Sequence, residues 1–211
     1  MHGDGTKPVT TQNNRPPARL LDITRLIRRA GRFLTGVDRV EMAYLEAFLA
    51  EPEQIFGLVR TTFGYLLLDR PGLLKIKMQL SGKEAFGQID ILSRFPRGLT
   101  KIQRQALSQV RELSVDRSLP MNLSKLLVRN LPPKTSYVNV GHSNLTERVL
   151  SAMHTSLSAQ VSVMIHDVIP LDYPHFQRAG TVELFAQKLK RVQKYADLVI
   201  YNSADTQQRC E

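Results

Sequence analysis

The chain has 211 residues, of which 42% are hydrophobic and 23% charged, with a formal net charge of +10. That length builds one large domain or two small ones. No apolar run approaches the ~18 residues of a membrane-spanning helix, the N-terminus lacks the apolar core of a secretory signal, and a single cysteine, Cys210, excludes an internal disulfide and a multi-cysteine zinc site. The expected location is therefore the cytoplasm. A basic balance favours polyanions as partners: nucleic acid, anionic lipid or phosphorylated ligands. A basic solvated surface accounts for the same charge equally well.

Residues 1–17 carry Gly, Pro, Asn, Gln and Thr and few large apolar side chains. They cannot bury enough surface to offset ordering and read as a disordered tail. Residues 18–211 then read as one domain. Leu20 to Ile27 is a strand candidate, followed by a basic turn, Arg28-Arg29-Ala30-Gly31-Arg32. From Val37 the apolar residues fall at Val37, Val40, Tyr44, Ala47 and Phe48, a helical spacing with one buried face that Pro52 closes. Strand, glycine turn and helix is a unit that places backbone N–H groups and a positive dipole end beside an anion. Thr35-Gly36 is neither GxGxxG nor a P-loop, and a glycine giving backbone freedom at a helix entry is the plainer account.

Ile55 to Arg60 and Tyr65 to Asp69 read as two strands of a hairpin through Thr61-Thr62-Phe63-Gly64. Pro71 to Leu80 reads as a short helix, and Ile102, Ala106, Val110 and Leu113 mark a longer one. Arg117 to Pro133 is ambiguous and reads as a short helix and a loop.

Regularity returns at Ser136-Tyr-Val-Asn-Val-Gly141-His142, a strand ending in Gly-His. Asn144, three residues before Glu147, resembles a capping-box start for a helix through Leu145, Val149, Ala152 and Met153. Gln160 to Ile165 is a β-branched strand that stops at His166-Asp167. A helix over Val182 to Tyr195 follows, with Phe185, Leu189, Val192 and Ala196 as its apolar stripe and Lys190, Arg191 and Lys194 opposite. Ala196 to Ser203 is the next strand, and Ser203 caps a last helix. The β-α-β-α-β-α order predicts a parallel sheet with right-handed crossovers. Gly141-His142, His166-Asp167 and Asn202-Ser203 then share one carboxyl edge, where open α/β sheets bind ligands. The last helix has scarcely two turns before Glu211 and no strand follows, so the spacing predicts part of a longer protein.

Four segments in this order resemble the N-terminal half of a bacterial GT-B glycosyltransferase of the family 4 type. They are Thr35-Gly36-Val37-Asp38-Arg39-Val40-Glu41; Tyr137 to Asn144; Ile165-His166-Asp167-Val-Ile-Pro170-Leu171 with Tyr173-Pro174; and Ala196-Asp197 to Ser203 with Thr206 after it. The similarity runs over roughly residues 19–211. It implies an α/β, Rossmann-like parallel sheet with flanking helices, the acceptor-holding half of a two-domain cleft. The other domain, which holds the nucleotide sugar and grips its diphosphate, is expected beyond this chain. The family transfers sugar with retention, usually needs no metal, and has no cofactor beyond its nucleotide-sugar co-substrate. The resemblance makes His166 and Asp167 the catalytic candidates, His166 as a hydrogen-bonding and orienting group beside the transferred sugar. Thr35, Gly36 and Arg39 become substrate-binding candidates near the donor phosphate, and His142, Asn202 and Ser203 line the same edge. Adjacent strand positions point to opposite faces, so His166 and Asp167 need not pair.

The expected function is therefore the N-terminal part of a transferase for surface or extracellular polysaccharide, inactive alone. Its acceptor is a saccharide or a lipid-linked one, and the Lys190, Arg191 and Lys194 face offers a peripheral contact with anionic membrane. The competing reading is a basic α/β module for nucleic acid or another polyanion. Against nucleic acid, the chain lacks tryptophan and any aromatic-basic interleaving of an RNA-binding motif. A hydrolase would need a nucleophile, and neither Ser143 nor Ser203 sits in a Gly-x-Ser-x-Gly elbow.

Overall fold

The computed structural model describes residues 15–210. The first fourteen residues of the expected tail lie outside that range. The elements are β1 (Ala18–Asp22), α1 (Thr24–Arg28), α2 (Gly36–Ala50), β2 (Gln54–Thr61), β3 (Gly64–Leu68), α3 (Arg70–Leu80), α4 (Lys101–Leu113), β4 (Asp116–Ser118), α5 (Leu123–Asn130), β5 (Ser136–Asn139), α6 (Glu147–Leu157), β6 (Gln160–Ile165), α7 (Ile169–Asp172), α8 (Thr181–Tyr195), β7 (Leu198–Tyr201) and α9 (Ala204–Cys210).

One sheet runs in the order β4-β3-β2-β1-β5-β6-β7. β2, β1, β5, β6 and β7 are mutually parallel, and β3 and β4 add an antiparallel edge. Strand side chains alternate between faces, and two cores result. Leu20, Leu58, Tyr65 and Tyr137 pack with α5, α6 and α8 on one face. Leu21, Val59, Leu66 and Val138 pack with α1, α2, α3 and α4 on the other. The architecture is three-layered and Rossmann-like.

From β1 the chain steps to β2 across one face. From β5 it steps through β6 to β7 in the opposite direction across the other face. Right-handed crossovers in opposite directions require helices on opposite faces. The order therefore reverses between β1 and β5, and their carboxyl ends open a crevice there.

Three expectations change. Leu20 to Ile27 is not one strand. Asp22 Oδ1 accepts the Thr24 N–H at 3.0 Å, the chain turns, and Leu26 and Ile27 are buried from a helix instead. Both readings suit a short apolar run, which carries no period of its own. The Arg117 region supplies β4, a strand of Asp, Arg and Ser that pairs Tyr65 with Ser118. Its charges suit an edge, and they hid it from an apolar-pattern reading. Finally, Thr146 rather than Asn144 caps α6, accepting the Val149 N–H at 3.3 Å.

The hairpin between β2 and β3 makes a close approach. Gly64 has φ +138°, and a Cβ there would lie 1.9 Å from the Ser118 carbonyl oxygen. Gly82, at φ +74°, has open space around it. Gly64→Ala should therefore cost at least about 2–3 kcal/mol, combining backbone strain with displacement of β4, and Gly82→Ala only about 1 kcal/mol. Urea unfolding of both variants checks this. Equal losses would mean that β4 does not hold its place against the turn.

Candidate functional site

The carboxyl ends of β5, β6 and β7 meet beside the crevice. After β5 the chain passes Val140 and Gly141, then takes left-handed conformations at His142 (φ 57°) and Asn144 (φ 64°). Non-glycine residues enter that region at a cost, and the surroundings here supply the compensation. Asn139 Nδ2 donates to the Ser143 carbonyl at 2.7 Å. Asn144 Nδ2 donates to Asp22 Oδ2 at 2.8 Å.

This turn brings His142 to His166. The ring centroids are 5.0 Å apart at an interplanar angle of 62°. The His166 backbone N–H donates to His142 Nε2 at 3.3 Å, which needs a lone pair on that nitrogen. Burial pushes the His142 pKa down to about 4, and the charges of Lys188 and the His166 ring act the same way. His142 is thus a neutral imidazole with Nε2 as acceptor. His166 Nε2 lies 2.7 Å from the Val140 carbonyl oxygen. A carbonyl only accepts, so Nε2 carries a proton, and in the neutral form of the ring Nδ1 holds the lone pair. The described residues offer Nδ1 no hydrogen-bond partner.

Asp167 does not set this tautomer. Its Oδ1 accepts the Ile169 N–H at 3.3 Å and so begins the α7 turn. It makes no hydrogen bond to the imidazole among the described residues, in keeping with the alternation of strand side chains. Asn202 and Ser203 act locally on α9: Ser203 Oγ accepts the Thr206 N–H at 3.1 Å and Asn202 Oδ1 accepts from the Thr206 hydroxyl at 3.1 Å. The link from β7 to the histidines is Thr206 itself, a buried hydroxyl 3.4 Å from the His166 carbonyl oxygen.

The α2 entry is arranged differently from its apolar pattern. The fully buried residues are Asp38, Glu41, Met42 and Leu45; of the expected stripe, Val40, Tyr44 and Phe48 are partly buried and pack against the core, while Ala47 is exposed. Partners on α1 and at the helix entry explain the burial of Asp38. It binds Arg25 Nε and Arg29 Nε, each at 2.6 Å, and accepts from the Thr35 N–H at 2.8 Å and the Thr35 hydroxyl at 2.7 Å. Burial pushes its pKa up, but the Thr35 and arginine bonds outweigh it and hold the carboxyl at about 2. The Thr35 donors are therefore spent within the protein. Gly36 remains open, since a Cβ there meets no atom within 4 Å. Arg39 is exposed on α2, and its side chain makes no ion pair or hydrogen bond among the described residues.

Two carboxyls below the crevice are absent from the apolar pattern. Asp22 accepts from Thr24, Tyr137 and Asn144, yet burial dominates and raises its pKa. Glu41 is fully buried. A Cβ on Gly141 would come within 2.3 Å of its Oε2, and neither oxygen makes a hydrogen bond of good geometry. Burial first, then the Asp22 charge, push its pKa well above the usual carboxylate range. The neutral acid is the form this site favours. The only sequence signal was the spacing itself: acids at i and i+3, with arginines at i and i+4 just upstream. Lys188 was also missed. It is half-buried on α8, and burial lowers its pKa while Asp167 pulls it up. That places a cation at the histidine edge. Among the described residues no group of three or more His, Cys, Asp or Glu side chains is arranged to hold a metal ion.

Two measurements check these assignments. A proton NMR titration should find His142 neutral through physiological pH and titrating near 4; a midpoint near 6.5 would mean that its ring is solvated. A raised carboxyl pKa contributes stability that is complete below the unfolded value and is lost as pH rises through the folded one. The urea midpoint of the wild type should therefore fall more steeply above pH 5 than that of Glu41→Gln. Parallel profiles would mean that the Glu41 charge has a partner.

No protein-family model matches this chain, and neither a curated protein nor a solved structure matches it significantly.

Proposed function

We propose that this chain is the acceptor-side portion of a retaining GT-B type glycosyltransferase. It would work with a donor-holding second domain to move a sugar from a nucleotide sugar to a saccharide or lipid-linked acceptor. The observation that carries this reading is the histidine edge: His166 fixed by Val140, faced by a neutral His142, beside the crevice where the sheet order reverses.

In this reading His166 is an acceptor of hydrogen bonds. Its Nε2 proton is committed to Val140, so Nδ1 receives a hydroxyl proton of the transferred sugar and orients the ring. His142, uncharged, keeps a second cation away from that nitrogen and supports the His166 backbone. Lys188 supplies positive charge nearby for an anionic group. Asp167 sits with its carboxylate partly exposed and available to an acceptor hydroxyl. The open backbone at Gly36, at the positive end of α2, receives the donor phosphate. Exposed apolar residues at the same edge, among them Phe33 at 99% and Phe176 at 79% exposure, suit coverage by a second domain.

The test is sugar transfer from a panel of nucleotide sugars, using protein expressed with the coding sequence downstream of residue 211. Transfer is expected there and little from residues 1–211 alone. His166→Ala should lower turnover about ten- to a hundredfold, the worth of a hydrogen bond to a group in the transition state. Unchanged turnover removes His166 from the mechanism. Absence of transfer from every nucleotide sugar overturns the transferase reading.

A further inference from the structure

A second site lies at the other half of the carboxyl edge. A cavity of about 520 Å³ is lined by Arg28, Arg60, Arg97 and Arg148 with Thr62 between the strands. Arg28 closes α1, Arg60 is near the end of β2, Arg97 precedes α4, and Arg148 is in the first turn of α6. The four therefore come from separate parts of the chain. No carboxylate lines the cavity, and none of the four forms an ion pair among the described residues. The contrast with their neighbours is sharp. Arg25 on α1 and Arg29 at its C-terminal cap are both spent on Asp38, while Arg28 faces the cavity. Like charges held on one concavity repel, and an anion relieves that cost. Guanidinium forks match phosphate oxygens two at a time.

An apolar cavity of about 350 Å³ adjoins it and shares Thr61. Phe63, Leu92 and Leu119 line it, and all three are exposed. Phe95 and Met121, at 66% and 78% exposure, extend the apolar surface. A solvated apolar patch against an unpaired cationic cavity is complementary to a molecule with both properties.

We propose that the paired cavities bind a phosphorylated lipid, its phosphate or diphosphate head among Arg28, Arg60, Arg97 and Arg148 and its apolar chain over Phe63, Leu92 and Leu119. Naming that lipid as the acceptor of sugar transfer rests on the functional reading above. The binding itself needs no sugar donor, so the two ideas fail separately.

The test uses the 211-residue chain and vesicles of phosphatidylcholine, alone or doped with phosphatidic acid or with phosphatidylserine at matched surface charge. Sedimentation should follow phosphatidic acid, whose phosphate monoester is accessible, and inorganic pyrophosphate should displace the protein. Arg60→Gln combined with Arg148→Gln should weaken binding to these vesicles at least about tenfold, from the loss of charge-assisted bonds. Leu119→Asp should lose the vesicles but keep calorimetric binding of pyrophosphate, with circular dichroism confirming that both variants fold. Equal binding to both anionic lipids, unaffected by the arginine pair, overturns the site. Pyrophosphate binding that depends on the arginines, with vesicle binding indifferent to Leu119→Asp, assigns the cavity to a free phosphorylated ligand and overturns the lipid assignment.

Discussion

The Asp22 carboxyl ties the two halves of this sheet together at the point where strand order reverses. It closes β1, accepts the Thr24 N–H that starts α1, and reaches across to Tyr137 in β5 and Asn144 in the turn beyond. Asn139 donates to the Tyr137 hydroxyl at 3.0 Å, which frees that hydroxyl's own proton for Asp22. A sheet that reverses must leave its two central strands without a helix between them at one end. Here that opening is filled by a hydrogen-bonded polar network instead of side-chain packing. Satisfied networks of this kind fix a single geometry, whereas apolar contacts tolerate sliding. The left-handed turn at His142 and Asn144 depends on it, and so does the placing of the histidine pair.

The three acids around this network differ because their partners differ. Asp38 is as buried as Glu41, but two guanidiniums and both Thr35 donors surround it, and its pKa falls to about 2. Glu41 has one turn of helix between it and the same arginines, receives no bond of good geometry, and faces Asp22. Its pKa rises. Burial alone therefore does not decide charge; the number of donors aimed at each oxygen does. The consequence for α2 is mechanical. The charged Asp38 locks the helix entry to α1, and the Glu41 acid packs under Gly141, where no side chain larger than hydrogen fits.

The elements with a strong period were legible in the sequence. β5, β6, β7 and α8 stand where their apolar spacing put them, and the convergence of three polar strand ends followed from parallel pairing alone. What was not legible depended on polar partners distant in sequence. Asp22 and Asn144 are 122 residues apart, and no local pattern marks either as part of a network. Asn144 looked like a helix cap because its spacing to Glu147 is right, yet its amide is drawn to Asp22 and Thr146 caps instead. The apolar pattern of α2 found Val40, Tyr44 and Phe48 against the core but missed Asp38 and Glu41 for the same reason: an apolar count cannot anticipate a carboxylate buried by two arginines. Thr206 was visible only as the tail of a motif, not as a link to His166, and Lys188 escaped notice because a helical lysine is an ordinary surface residue until its tertiary neighbours are known.

The distribution of arginine connects these points. The basic excess of this chain is not spread evenly in energetic terms. Some arginines are neutralised inside the protein, as Arg25 and Arg29 are by Asp38 and Arg111 is by Asp90 at 2.7 Å. Others, at Arg28, Arg60, Arg97 and Arg148, line a concavity that contains no acid. Adjacent helical positions are turned about 100° from each other, so Arg28 and Arg29 leave the chain in different directions, one to the cavity and one to Asp38. Both the arginine cavity and the histidine edge draw residues from at or just beyond the carboxyl ends of parallel strands. Arg60 is near the end of β2, Arg148 follows the turn after β5, and His142 and His166 follow β5 and β6. The reversal held by Asp22 separates β2 from β5 by β1 alone, so it is also what lets both sites share one edge of the sheet. A ligand held by its phosphate at the arginines would therefore lie along the same edge that presents the imidazoles.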